Sequence, residues 1–104
     1  MAQIAAVNTA PRWTFLTNHA QVLVCIANDP WVRLREIAER IGITERAVHR
    51  IVVELEEAGY VTRERNGRRN QYTIRAHLPI HDPVARNRDQ SVGQLLQVLL
   101  GPDL

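Results

Sequence analysis

Lysine is absent from this 104-residue chain: all 13 basic residues are arginine, and aromatics make up only 5% of it. With a single cysteine, Cys25, no internal disulfide can form. Its place in the apolar run Val22-Leu23-Val24-Cys25-Ile26 suits a core position in a reducing compartment. No apolar stretch is long enough for a membrane helix, and no basic start followed by an apolar core marks a secretory signal, so a soluble, cytoplasmic protein is expected. Glycine-rich phosphate loops, paired-carboxylate motifs and Ser/His/Asp or Cys/His sets are also missing, so no enzyme and no cofactor are expected. His77, His81 and Asp82 lie close in sequence, but Pro79 interrupts them and no fourth ligand stands nearby, so no metal site is expected either.

What is present centres on residues 34–60, LREIAERIGITERAVHRIVVELEEAGY. Leu34, Ile37, Ala38 and Ile41 recur at spacings of three and four, giving one apolar helical face. Gly42 lets that helix end, and Thr44 can cap the next. In the second helix, residues 44–58, Val48, Ile51, Val52 and Leu55 form the inward stripe, while Arg46, His49, Arg50, Val53 and Glu57 fall on the other side. Two short amphipathic helices joined by a glycine turn, the second with a cationic outer face near its start, have the sequence form of a helix-turn-helix.

The net charge is only +2, but residues 60–75 hold five arginines (Arg63, Arg65, Arg68, Arg69, Arg75) against Glu64 alone. The segment YVTRERNGRRNQYTI reads as a β-hairpin with an arginine-rich tip. A type I′ turn at Asn66-Gly67 would set Val61 opposite Tyr72, Glu64 opposite Arg69, and Arg65 opposite Arg68. The last pair is unfavourable unless an anion lies between its members, and a longer loop over residues 66–70 would also relieve it.

Over residues 13–74 these features together resemble the winged helix-turn-helix transcriptional regulators of the MarR and ArsR type. The resemblance implies a mainly α fold with a small β-hairpin wing, double-stranded DNA as partner, and a homodimer. It places helix 44–58 in the major groove and wing 60–75 on the backbone or minor groove. The DNA-contacting residues it implies are Thr44, Arg46, His49 and Arg50 on the helix, and Arg63, Arg65, Asn66, Arg68 and Arg69 on the wing. Arg35 joins them at the expected cap of the preceding helix, where the family often has serine or threonine. A small strand at residues 31–34, pairing with the wing, is also implied. Metal-sensing ArsR members carry a paired cysteine motif in the recognition region, which is missing here. Promoter occlusion, and so repression, is the simplest output; no effector is identified.

Residues 1–12 are expected to be a flexible arm, its end packed down by Trp13 and Phe15. Thr17 or Asn18 should cap a first helix whose inner stripe is Ala20, Leu23, Val24 and Ala27, before Asn28-Asp29-Pro30 stops it. The DNA-binding domain then spans residues 13–76, and residues 77–104 make a linker and a C-terminal dimerisation helix. Asp82-Pro83 has the form of that helix's start. Its crowded apolar end cannot all face one small core, so Val92, Leu95, Leu96 and Leu99 are expected to pair with a second copy. The main rival is a winged-helix protein-interaction module that uses residues 91–100 and Val53 without specific DNA binding. An RNA or single-strand binder would need stacking aromatics, and only Tyr60 and Tyr72 lie near the basic segment.

Overall fold

Helix α1, Asn18–Asn28, starts where the Thr17 hydroxyl accepts the Ala20 N–H at 3.1 Å. The computed structural model describes residues 11–85 and 89–101 of the chain. The buried side of α1 is Val22, Leu23, Cys25 and Ile26, rotated from the expected stripe: Val24, Ala20 and Ala27 are only half-buried. The rotation follows from the company α1 keeps, since α2, α3, α4 and the wing all pack against it. A helix enclosed on several sides buries more than one stripe. Pro11 and Arg12, at the end of the expected arm, are exposed, as are Trp13 and Phe15, whose rings meet edge to face with centroids 4.9 Å apart.

Asp29 shapes the turn into α2, its carboxylate accepting the Trp31 N–H at 3.0 Å and its carbonyl the Val32 N–H at 3.0 Å. Those two donors are therefore unavailable to a ladder, and Pro30 has none to offer. No strand forms at residues 31–34. A single backbone bond, from the Tyr72 N–H to the Pro30 carbonyl at 2.9 Å, ties the wing to this turn instead. Helix α2, Leu34–Ile41, has Arg33 rather than Arg35 at its cap, and the Glu36 carboxylate reaches back to accept the Arg33 N–H at 3.2 Å. Gly42, at φ 84°, closes α2 in the left-handed region. Helix α3, Glu45–Glu57, follows after two residues, with the Thr44 hydroxyl accepting the Ala47 N–H at 3.1 Å. Val48, Ile51, Val52 and Leu55 are all buried, as their spacing predicts.

Strands β1, Val61–Asn66, and β2, Arg69–Ile74, form the antiparallel wing. Val61 faces Ile74, Arg63 faces Tyr72, Arg65 faces Asn70 and Asn66 faces Arg69. The loop is thus Gly67-Arg68, not Asn66-Gly67. With Gly67 at φ 63° and no positive φ outside glycine among the described residues, the backbone suits a type II′ turn, which needs its positive φ at the first loop residue. The pairing has moved by two residues, so every side chain keeps its expected face, and the Arg65–Arg68 opposition disappears.

After the wing the chain turns back on itself. Tyr60 Oη donates to the Pro79 carbonyl at 2.7 Å, and residues 76–80 stitch to the start of α4 through Val92 N–H to Leu78 O at 2.9 Å and Gly93 N–H to Ala76 O at 2.8 Å. Helix α4 is Val92–Leu100, capped by Ser91 with Gln94, and does not begin at Asp82. The Asp82 carboxylate does behave as a cap, accepting the Val84 and Ala85 N–H groups at 2.8 and 3.1 Å. Those two bonds, with a smaller pull from His81, hold its carboxyl below the ordinary carboxylate range. Asp89 and Gln90 nevertheless lie outside any helix, because after Val84 the next large apolar residue that could anchor one to the core is Val92. Val92 and Leu96 dock into the chain's own core, Leu96 being 2% exposed. Val98 and Leu99 face outward, 81% and 40% exposed. The expected arm at residues 1–10 and the residues after Gly101 lie outside the described residues. No helix among the described residues is long and apolar enough to cross a membrane.

Two substitutions test this packing. A Cβ on Gly93 would meet the Ala76 Cβ at 2.8 Å and its carbonyl oxygen at 3.0 Å. Gly93→Ala is therefore expected to lower the unfolding free energy in urea by ~1–3 kcal/mol; an unchanged midpoint would contradict the close docking of α4. Thr44→Ala should cost about 0.5–2 kcal/mol in the same assay through loss of the α3 cap. A neutral result would mean that the cap contributes nothing to α3.

Candidate nucleic-acid interface

Because α3 buries one stripe, its rotation about its own axis is fixed, and Arg46, His49 and Arg50 are left on the exposed side. They line a shallow hollow with Thr44, Ala47, Val53 and Glu54. Arg46 and Arg50 sit four residues apart on one face, where like charges repel. Among the described residues neither has an ion-pair or hydrogen-bond partner. Arg50 could have paired with Glu54 one turn on. Instead Glu54 Oε1 lies 3.1 Å from His19 Nε2 on α1. Val53, expected on the outer face, is half-buried.

A second cationic region forms where three elements meet. Arg33 and Arg35 at the start of α2, Arg68 and Arg69 at the wing tip, and Glu45 at the start of α3 line a cleft of about 340 Å³ with Trp31 and Tyr72. Four guanidiniums against one carboxylate make a strongly positive concavity, suited to phosphate oxygens, which arginine can grip with two parallel N–H bonds. Arg35 thus joins the wing arginines although it is not the cap. Arg33 was missing from the sequence-derived set; its signal was a cation beside Glu36 at the start of an amphipathic helix.

Not every expected wing residue is free. Arg63 Nε lies 3.5 Å from Glu56 Oε2 near the end of α3, so it braces the wing against the helix. Arg65 Nε donates to the Gly67 carbonyl at 2.9 Å, and Asn66 Nδ2 donates to Gln71 Oε1 at 3.1 Å, so both stiffen the hairpin tip. Thr44 spends its hydroxyl on the α3 cap. Arg68 and Arg69 remain exposed and, among the described residues, have no partner. The geometry therefore separates two roles: α3 offers unpaired guanidiniums on a helix narrow enough for a major groove, and the cleft beside the wing offers a phosphate grip.

The profile of the MarR family matches residues 14–69, more than half of the chain. Among solved structures the chain is similar to the PcaV transcriptional regulator from Streptomyces coelicolor in complex with its natural ligand. The TM-score is 0.50 at 20% sequence identity, over 85% of this chain and 64% of PcaV, so the likeness is one of fold and the chain spans under two thirds of that protein's length. No curated protein matches the chain. With helices, wing and profile in agreement, the chain belongs to the MarR family and has a winged helix-turn-helix fold.

Proposed function

We propose that this protein is a sequence-specific double-stranded DNA-binding repressor that acts in the cytoplasm as a homodimer. Helix α3 enters the major groove, and the wing with the start of α2 holds the backbone on either side. The observation that carries this is the unpaired Arg46–Arg50 face of α3, beside the cleft formed by Arg33, Arg35, Arg68 and Arg69. Arginine forks bond in pairs to the O6 and N7 of guanine, so Arg46 and Arg50 are the base readers, and Arg68 and Arg69 neutralise phosphates.

The dimer rests on α4. Its own core claims Val92 and Leu96, and the surface left for a second copy is Leu95, Val98 and Leu99. Leu95 and Leu99 border an open, mostly apolar groove of about 500 Å³ shared with Phe15, Leu23 and Leu55. A two-fold axis through this region would set two copies of α3 one DNA turn apart, ~34 Å. The same groove is where a small effector would lodge, since PcaV, of similar fold, was solved with its natural ligand.

Binding titrations on a duplex recovered from a random pool test the base readers. Arg46→Ala or Arg50→Ala should weaken binding by ~1–3 kcal/mol and relax preference at one base pair each. Arg68→Ala should weaken all duplexes alike and reduce the dependence of log affinity on log salt by about one unit. If neither α3 variant changes affinity or preference, and DNA binding stays weak and indifferent to sequence even at low salt, the protein-interaction module is the better account. For the dimer, Leu99→Asp should give a folded monomer in sedimentation. An unchanged mass would move the interface off α4.

A further inference from the structure

We propose that His19 acts as a positioning residue for DNA recognition by holding the Glu54 carboxylate away from Arg50. This rests on the reading of α3 as the recognition helix. Arg46, Arg50 and Glu54 occupy successive positions four residues apart on the outer row of α3. A carboxylate at that spacing is the natural local partner of the Arg50 guanidinium. The pair does not form here. Glu54 Oε1 instead lies within hydrogen-bond distance of His19 Nε2, 3.1 Å away on α1 and 35 residues distant in sequence.

Glu54 lines both the recognition hollow, with Arg46, His49 and Arg50, and the apolar groove between α1 and α4, with His19. One carboxylate therefore has two competing partners on opposite sides. While His19 holds it, Arg46 and Arg50 are left as two neighbouring like charges with no acid among the described residues to relieve them, and an acceptor on DNA is the group that does so. Without His19 the carboxylate turns to Arg50, and DNA has to displace it before Arg50 can reach a base. The expected cost to binding is about twofold in Kd, the worth of an exposed ion pair at this helical spacing. It falls on the one base pair that Arg50 reads.

The test uses the full chain and a duplex recovered by the wild type from a random pool, together with versions changed at the base pair whose preference Arg50→Ala relaxes. His19→Ala should raise Kd about twofold, the worth of the pair it releases, with discrimination reduced by the same factor at that base pair alone. Adding Glu54→Gln to His19→Ala should restore wild-type affinity, because no carboxylate is left to capture Arg50. His19→Gln, whose amide can donate to Glu54, should stay near wild type. His19→Ala should add nothing in an Arg50→Ala background. Should alanine prevent folding, His19→Asn, too short to hold Glu54, takes its place. A His19 variant without effect overturns the proposal. So does a loss spread evenly over all sequences, or one that Glu54→Gln fails to repair, since either would mark His19 as a plain packing residue. A wild type that enriches no motif overturns the recognition reading along with it, whereas a clear motif read by Arg50 but indifferent to His19 overturns this proposal alone.

Discussion

The burial of Val48, Ile51, Val52 and Leu55 on one side of α3 is the constraint on which the rest of the molecule depends. Each contributes ~1.5–3 kcal/mol on leaving water, far more than any exposed pair on the helix can return. That difference decides which way α3 faces. With the stripe turned inward against α1 and α2, the arginines at positions 46 and 50 have no choice but the surface. The core sets the direction of that cationic face, and the face contributes nothing to the core.

Around that helix, the remaining elements fix the position of the second cationic region. The Tyr72 N–H bond to the Pro30 carbonyl draws the wing toward the start of α2, and the Arg63–Glu56 pair braces it against the end of α3. Arg68 and Arg69 therefore come to stand across a cleft from Arg33 and Arg35, although more than 30 residues separate them in sequence. Below, the return of residues 76–80 onto α4 brings Leu96 under α1 and sends Val98 and Leu99 outward. The domain thus carries a cationic cleft between the wing and α2 and an exposed apolar surface on α4.

Much of this was legible in the sequence, where local chemistry was decisive. Caps at Thr17 and Thr44, the glycine after Ile41 and the three-and-four spacing in α2 and α3 act over a few residues and do not depend on what packs against them. What was hidden depends on distant contacts. Gly67 can serve as the second residue of one tight turn or the first of another, and the loop it selects shifts the wing pairing by two without turning any side chain over. Asp82-Pro83 makes a genuine local cap, but propagation of a helix needs an apolar stripe to anchor it, and that begins only at Val92. Which of the crowded α4 residues enter the core depends on where α4 docks. The same holds for the pairs His19–Glu54 and Arg63–Glu56: each joins residues whose nearness only the folded chain reveals, and together they decide which arginines are left unpaired.

The most direct test of a base-reading α3 face is selection of random duplex DNA by the purified wild-type protein, followed by titration of the recovered sequences across a range of salt. The expected result is a two-fold symmetric motif with half-sites about one DNA turn apart, ~34 Å, and an affinity that falls steeply as salt rises. Recovery of no common sequence, with binding weak and indifferent to base composition, would contradict it.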